Sequence, residues 1–217
     1  WQPRPRLGSR QVERILHNLP SADFDETGLL GRERQLNDIV HKIKTSRSGM
    51  VTLIGEGGIG KSALALEACY RLVDDPDSPF EVILWTSLKT EQLTANGVSD
   101  LVGAVRDMDG VTQAIGEAID SSFVGSMKEL ARLLGSRPAL LVIDNLETAQ
   151  GQEPRNLVGA LPRSVSYLFT TRVGVGLDSI DDERVGPLDE ESAALLFRRF
   201  ASTRPRSTRL EPSDEGL

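Results

Sequence analysis

A glycine-rich stretch that ends in lysine and serine carries the clearest chemistry in the sequence. Residues 55–62 follow the spacing G-x-x-x-x-G-K-S, and four of these eight residues are glycine. Glycine permits backbone angles that a Cβ would block, so successive N–H groups can approach the oxygens of a phosphate closely. The Lys61 ammonium could then neutralise phosphate charge, and the Ser62 hydroxyl could bind Mg²⁺. A plain glycine-rich turn between a strand and a helix is the alternative.

The segments on both sides of this loop have the composition that a phosphate-binding loop requires. Met50–Ile54 is a short run rich in β-branched residues, which is typical of a buried parallel strand. From residue 63 onward strong helix formers follow without a breaker, so the positive end of a helix points at the loop. Strand, loop and helix together predict a P-loop nucleotide-binding protein. Its nucleotide contacts are expected from Gly55, Glu56, Gly57, Gly58, Ile59, Gly60, Lys61, Ser62 and Ala63.

A second candidate segment is Ala139–Asp144, in which an apolar run ends in a carboxylate. We expect Asp144 to bind Mg²⁺ opposite Ser62, as a Walker B aspartate does; the alternative is that it caps the following turn. Many hydrolysing P-loop proteins carry another acid directly afterwards, but here Asn145 stands there, and an amide cannot accept a proton from water. Glu147 is the nearest alternative general base, provided that the intervening turn points it inward.

A third candidate segment is residues 166–172, a predicted strand with the polar end Thr-Thr-Arg. Arg172 is expected level with the γ-phosphate, where a guanidinium could sense the third phosphate. A surface salt bridge is the alternative role for Arg172. The sequence contains no N-K-x-D segment, which is the usual guanine-reading motif. Adenine is therefore the expected base.

Alternating strands and helices predict the fold class. Five strands are expected, at 50–54, 80–87, 139–144, 166–172 and 184–185. They predict an α/β fold: a P-loop NTPase three-layer sandwich with a central parallel five-stranded sheet and ligands at the carboxyl ends of the strands. One or two helices are expected between 90 and 122, most clearly over 111–119. A helix beginning at Asp189 is expected to turn Leu196 and Phe197 inward.

Three parts are expected along the chain. Residues 1–22 form an N-terminal linker and a short helix that Pro20 stops, 23–186 form the nucleotide-binding domain, and 187–217 begin a helical subdomain with a polar tail. The first residue is Trp rather than Met, and the tail has no closing element. Both features indicate a piece of a longer protein.

The composition restricts the class of protein. The 217 residues, 39% hydrophobic and 26% charged, suffice for one α/β domain and part of another. A formal net charge of −7 argues against a nucleic-acid surface on this segment. We find no apolar run long enough to span a bilayer and no signal peptide, so we expect no membrane partner and a cytoplasmic location. The single cysteine, Cys69, is expected in the core.

The ordered motifs resemble the NB-ARC branch of the STAND ATPases. These are nucleotide switches of plant resistance proteins, apoptotic protease-activating factors and many bacterial regulators. The resemblance covers about residues 24–200, and the Leu-Val-Ile-Asp-Asn-Leu-Glu form of residues 141–147 looks bacterial. The matching segments are Gly31-Arg32-Glu33, residues 55–62, residues 80–87 with Trp85, residues 140–147, Thr170-Thr171-Arg172 and residues 187–200.

This resemblance implies a switch that uses ATP, ADP and Mg²⁺. ADP would hold a closed monomer, and exchange for ATP would permit self-association of the full-length protein. Gly31 and Arg32 would lie against the adenine and ribose, although a turn followed by a helix start is the alternative. The family's G-L-P-type motif, winged-helix histidine, effector domain and sensor repeats are expected outside this chain. Weak, slow hydrolysis is expected, with Lys61, Asp144, Glu147 and Arg172 as the catalytic residues.

Other functions compete with the switch. A small-molecule or nucleotide kinase shares the P-loop but needs an acceptor site and a lid with several arginines, and Arg198 and Arg199 lie on an ordinary helix. An AAA-type ring motor needs an arginine finger and a helical lid with a second sensor, and neither is recognisable in the sequence. Nucleotide binding could also be purely structural. Antiviral defence and transcriptional control are both compatible outputs.

Overall fold

The computed structural model describes residues 15–21, 29–88, 91–94, 97–100, 107–148, 153–177 and 180–203. The strands in this part of the chain are β1 Leu16–His17, β2 Met50–Ile54, β3 Val82–Ser87, β4 Glu91–Thr94, β5 Gly97–Asp100, β6 Ala139–Asp144, β7 Val165–Thr171 and β8 Asp181–Arg184. The helices are α1 Glu33–Thr45, α2 Lys61–Asp74, α3 Met108–Ile119, α4 Met127–Leu134, α5 Glu153–Ala160 and α6 Glu190–Thr203.

The predicted three-layer α/β sandwich is confirmed. Six of the described strands form one parallel sheet in the order β1-β3-β6-β7-β2-β8. Leu140 and Val142 of β6 pack with α1 and α2, whereas Leu141 and Ile143 pack with α3, α4 and α5. Successive side chains of a strand point to opposite faces, so a strand covered on both faces must be apolar throughout.

The parallel arrangement brings the chemistry-bearing residues to one edge. Ile54 at the end of β2 pairs with Thr171 of β7, and Ser87 at the end of β3 pairs with Asp144 of β6. The carboxyl ends of these strands therefore lie side by side, and the loops that follow them gather there. This is the edge where an open parallel sheet binds its ligands.

The largest difference from the sequence prediction lies at residues 15–20, the end of the predicted N-terminal helix. Leu16–His17 is a strand that extends the sheet beyond β3, so the sheet has six strands in the described chain rather than five. The Asn18 side chain continues this pairing, because its amide donates to Trp85 O at 2.9 Å and its oxygen accepts from Trp85 N–H at 2.6 Å. Backbone pairing at a free sheet edge thus overrides the helical spacing of apolar residues. The first 14 residues of the predicted helix and linker lie outside the described part.

Three smaller differences concern the rest of the chain. The antiparallel hairpin β4–β5 lies where the sequence predicted only helices, while α3 confirms the helix over 111–119. The fifth predicted strand is found slightly earlier, at Asp181–Arg184. Asp189 precedes α6 as predicted and accepts from Ser192 N–H at 2.7 Å, but Phe197 is 74% exposed instead of inward-facing. No helix among the described residues is long and apolar enough to cross a bilayer.

Candidate functional site

The loop between β2 and α2 has the backbone geometry that its glycines permit. Gly58 and Gly60 have φ of +77° and +101°, in the left-handed region where a side chain is strained. A Cβ on Gly55 would lie 2.6 Å from the carbonyl oxygen of Val185. At Gly57 a Cβ would lie 3.1 Å from the guanidinium carbon of Arg172. The loop thus requires residues without side chains at Gly55, Gly58 and Gly60, whereas a side chain at Gly57 would require the Arg172 guanidinium to shift.

Lys61 lies buried inside this loop. Its Nζ donates to the carbonyl oxygens of Gly55 and Glu56, both at 2.8 Å. Burial lowers the pKa of Lys61, an effect that Glu147 and Asp144 oppose at a distance. Among the described residues the ammonium has no carboxylate within ion-pair distance. A desolvated cation held by neutral oxygens favours an anionic ligand, so the donor chemistry of the loop fits phosphate.

Asp144 is a buried carboxylate that accepts hydrogen bonds from three hydroxyl groups. Its Oδ1 accepts from Ser62 Oγ at 2.6 Å and from Thr170 Oγ1 at 2.5 Å. Its Oδ2 accepts from Ser87 Oγ at 3.2 Å. The predicted pair of Ser62 and Asp144 is therefore brought into contact, and both side chains offer the oxygen ligands that Mg²⁺ prefers. The sequence prediction missed the contribution of Ser87, and it left open whether Thr170 hydrogen-bonds the site or only favours the strand.

A metal at this position would not be enclosed by protein ligands alone. The described residues contain no group of three or more His, Cys, Asp or Glu side chains able to hold a metal ion. Mg²⁺ is commonly held by one or two protein oxygens together with phosphate oxygens and water. The residues present at Ser62 and Asp144 fit that mode of binding.

Glu147 and Arg172 meet at the mouth of the loop. Asn145 adopts a left-handed conformation with φ of +61°, and the short 3₁₀ turn Leu146–Thr148 follows. Glu147 Oε1 lies 3.0 Å from Arg172 Nε. The second carboxylate oxygen, Oε2, is buried and has no hydrogen-bond partner among the described residues. The turn thus points Glu147 inward, as its candidate role as a base requires.

Three concave regions border the loop, and two of them share part of its backbone. The first has a volume of about 380 Å³ and includes Lys61, Ser62, Asp144, Glu147 and Arg172. The second, an apolar recess of about 200 Å³, shares Gly58 and Gly60 with the first. The other residues of the apolar recess are Leu29, Leu30, Arg32, Ile59, Leu64, Leu188 and Leu196. A polar cleft joined to an apolar recess can accommodate a ligand with an anionic end and a planar apolar end.

Arg32 lines the apolar recess, and Gly31 precedes it in the chain. Gly31 has φ of +69°, and a Cβ there would overlap the Ser192 side chain of α6. The Arg32 guanidinium donates to Gly186 O at 2.7 Å and to Ile59 O at 3.3 Å. Burial lowers the pKa of Arg32. Arg32 therefore connects the start of α1 with the phosphate loop and with the segment before α6. Gly31 permits the close approach of the Ser192 side chain.

The fold and the loop define a P-loop nucleotide-binding domain. Residues 28–174 match the AAA ATPase domain family, so the chain belongs to that family. The match supports the predicted P-loop ATPase and the general capacity for ATP binding and hydrolysis. It does not single out the NB-ARC branch. The AAA class, which the sequence prediction considered only as a ring motor and set aside, is the family to which the chain belongs.

Individual proteins give a consistent but coarse assignment. The chain is 29% identical over 176 residues to the transcription activator GutR of Bacillus subtilis, covering 80% of this chain and 20% of GutR. It is 23% identical over 157 residues to an uncharacterised WD repeat-containing protein of Nostoc, covering 68% of this chain and 12% of that protein. The chain therefore spans a fifth or less of the length of these relatives.

Solved structures resemble the fold. The crystal structure of Cdc6p from Pyrobaculum aerophilum superposes with a TM-score of 0.52 at 16% identity, covering 83% of this chain and 52% of that one. PCH-2 of Caenorhabditis elegans superposes with a TM-score of 0.48 at 12% identity, covering 90% and 58% respectively. The Cdc6p likeness supports the α/β P-loop fold.

Proposed function

We propose that this AAA ATPase domain is an ATP/ADP-binding switch with slow Mg²⁺-dependent hydrolysis. In the full-length bacterial protein it would control oligomerisation and signalling, in defence or transcriptional regulation. The observation that carries the proposal is the contact between Glu147 and Arg172 beside the phosphate loop. Glu147 is the candidate base and Arg172 the candidate γ-phosphate sensor. Because they form an ion pair, activation of water and sensing of the third phosphate would depend on each other.

The polar cleft would hold the phosphates. Backbone N–H groups of the loop and the Lys61 ammonium would bind the β- and γ-phosphates, and the positive end of α2 adds to this attraction. Ser62 and Asp144 would hold the metal ion. When bound, Mg²⁺ would neutralise phosphate charge and support phosphoryl transfer to water. Arg172, whose side chain is 63% exposed, is free of deep packing and could reach toward a third phosphate.

The apolar recess would hold the adenine. Leu188, Leu196 and Ile59 supply its apolar surface, and the recess adjoins the loop at Gly58 and Gly60. Arg32, which lines the recess, and the preceding Gly31 would lie near the base and ribose. Arg32 already donates to the carbonyl oxygens of Ile59 and Gly186. Its main effect would be to keep these two sides of the recess close to the start of α1.

Slow hydrolysis follows from the second acid that is missing after Asp144. Asn145 cannot accept a proton, and Glu147 is engaged with Arg172 at 3.0 Å. Any water activation by Glu147 would compete with this ion pair. Such a domain would keep ATP bound long enough for the ATP-bound state to change its contacts with neighbouring domains.

The size and name of one relative support a regulatory role. GutR is a transcription activator, and the matched region is 20% of its length. We therefore favour transcriptional control over defence as the output, with this domain as the nucleotide-dependent switch of a multidomain regulator. Self-association in the ATP-bound state of the full-length protein would couple the switch to that output.

Isothermal titration tests nucleotide binding and base preference. Titrations of the domain with ATP, ADP and GTP, with Mg²⁺ and with EDTA, should show adenine nucleotides bound more tightly than GTP. Lys61→Ala should weaken ATP binding roughly 10- to 100-fold, because hydrogen bonds to charged groups contribute about 1.5–3 kcal/mol each. No binding by the wild-type domain, or a preference for GTP, would contradict the proposal.

A further inference from the structure

Thr170 has the most constrained hydroxyl group near the candidate site. The residue is completely buried in β7. Its Oγ1 donates to Asp144 Oδ1 at 2.5 Å and accepts from the backbone N–H of Asn145 at 3.0 Å. One small side chain therefore contacts the candidate metal-binding carboxylate and the turn that follows it.

These two contacts fix the Thr170 hydroxyl as a donor to Asp144 and as an acceptor from Asn145. A threonine hydroxyl has one proton, and here that proton is directed at the carboxylate while a lone pair receives the Asn145 N–H. Asp144 is 5% exposed, so solvent has little access to replace a lost donor. Loss of the Thr170 donor would leave Oδ1 with the Ser62 hydroxyl alone, and Ser62 is itself the expected partner of Mg²⁺. The Asp144 carboxylate would then rotate or shift.

The Asn145 contact restrains an unfavourable backbone conformation. A left-handed conformation costs a non-glycine residue roughly 1–2 kcal/mol, although asparagine tolerates it better than most. The bond from Asn145 N–H to Thr170 holds the start of this turn, and Glu147 follows two residues later. Thr170 thus restrains both the orientation of the Asp144 carboxylate and the turn that positions Glu147.

We propose that Thr170 is a positioning residue that orients the Asp144 carboxylate for Mg²⁺ and fixes the turn carrying Glu147. The inference rests on the proposed nucleotide function of the cleft. It concerns a residue that would not itself touch nucleotide or metal. A second-sphere partner of this kind commonly changes metal affinity 10- to 100-fold.

The neighbouring threonine provides a matched control. Thr171 is also buried, but its Oγ1 donates to Val173 O at 2.8 Å and accepts from Val173 N–H at 3.3 Å. Its hydroxyl therefore closes a local turn and does not contact Asp144. Replacing either threonine by valine keeps the shape and β-branching, so the two variants differ mainly in which hydrogen bonds are lost.

The test measures binding of a fluorescent ADP analogue as free Mg²⁺ is varied, with EDTA as the zero point. Thr170→Val should raise the half-saturating Mg²⁺ concentration about 10-fold or more, with affinity in EDTA unchanged. Thr170→Ser, which keeps the hydroxyl, should restore wild-type Mg²⁺ dependence, and Thr171→Val should resemble wild type. If Thr170→Val does not fold, Thr170→Cys gives the same comparison with a weaker donor.

The possible failures are distinguishable. A wild-type domain that binds no ADP would overturn the proposed function and this inference with it. Normal Mg²⁺ dependence in Thr170→Val, alongside a Mg²⁺-dependent wild type, would overturn this inference alone. Equal loss of ADP affinity with Mg²⁺ and with EDTA would show a general packing defect and would also overturn it.

Discussion

Glu147 Oε1 and Arg172 Nε lie 3.0 Å apart, and the Arg172 guanidinium also lies against Gly57 of the phosphate loop. This arrangement connects the turn after β6 with the end of β7 directly above the loop. Glu147 is mostly buried, whereas Arg172 is largely exposed. An exposed cation that neutralises a mostly buried carboxylate is well placed to be drawn away by a stronger anion such as a triphosphate.

Substitution of Glu147 should affect ATP hydrolysis, whereas substitution of Arg172 should affect ATP binding. Glu147→Gln should lower single-turnover ATP hydrolysis by at least about 100-fold, the lower end for loss of a general base. Arg172→Ala should weaken ATP binding more than ADP binding, because only ATP carries the third phosphate. Titration calorimetry and single-turnover assays measure the two effects.

Stability measurements give the control for this pair. A salt bridge with an exposed partner contributes roughly 0–1 kcal/mol, so urea unfolding of either variant should differ little from wild type. Large destabilisation of both variants, with equal losses of ATP and ADP binding, would identify the pair as a structural contact. The functional account of Arg172 would then be wrong.

The left-handed conformation of Asn145 predicts an order of stability among substitutions. Asn145→Gly should be more stable to urea than Asn145→Ala by about 1 kcal/mol, because glycine adopts a φ of +61° without strain. Both substitutions remove the asparagine side chain, so their difference isolates the backbone effect. Equal stabilities, or a more stable alanine variant, would contradict the left-handed turn.

Two adjacent leucines of α6 test the position of the adenine. Leu196 borders the apolar recess, whereas Leu195 is 43% exposed and is not among the recess residues. Leu196→Ala should weaken ADP binding roughly 10-fold through lost apolar contact, while binding of pyrophosphate stays unchanged. Leu195→Ala should leave both affinities unchanged. An equal effect of the two substitutions on ADP would place the base elsewhere.

The sequence predicts much of this fold because its strands are extreme in composition. Ala139–Asp144 has an apolar run that only a doubly covered strand tolerates, and its terminal carboxylate marks the carboxyl edge of the sheet. The same rule brings Ser62 toward Asp144, and the 2.6 Å contact between them agrees with it. These predictions depend on topology alone, which alternating strands and helices determine.

The features that the sequence did not predict depend on contacts between residues far apart in the chain, which a local pattern does not reveal. The strand Leu16–His17 has only two residues, and its partner β3 lies more than 60 residues later in the chain. The exposure of Phe197 depends on what packs around α6. The Thr170 contact with Asp144 requires the exact side-chain direction at two strand ends. The spacing of apolar residues and their polarity predict a local structure for such residues, but they do not show which distant residues they contact.

A single-turnover experiment tests the switch most directly. The domain in excess is mixed with Mg²⁺ and with trace ATP labelled at the α-phosphate or, in parallel, at the γ-phosphate. The first label follows bound ATP and bound ADP over time, and the second follows released phosphate. The proposed switch predicts ATP that stays bound and is cleaved more slowly than about 1 s⁻¹, the lower end of typical kcat values, with ADP retained afterwards. Rapid cleavage with immediate ADP release, or no ATP retained at all, would contradict it.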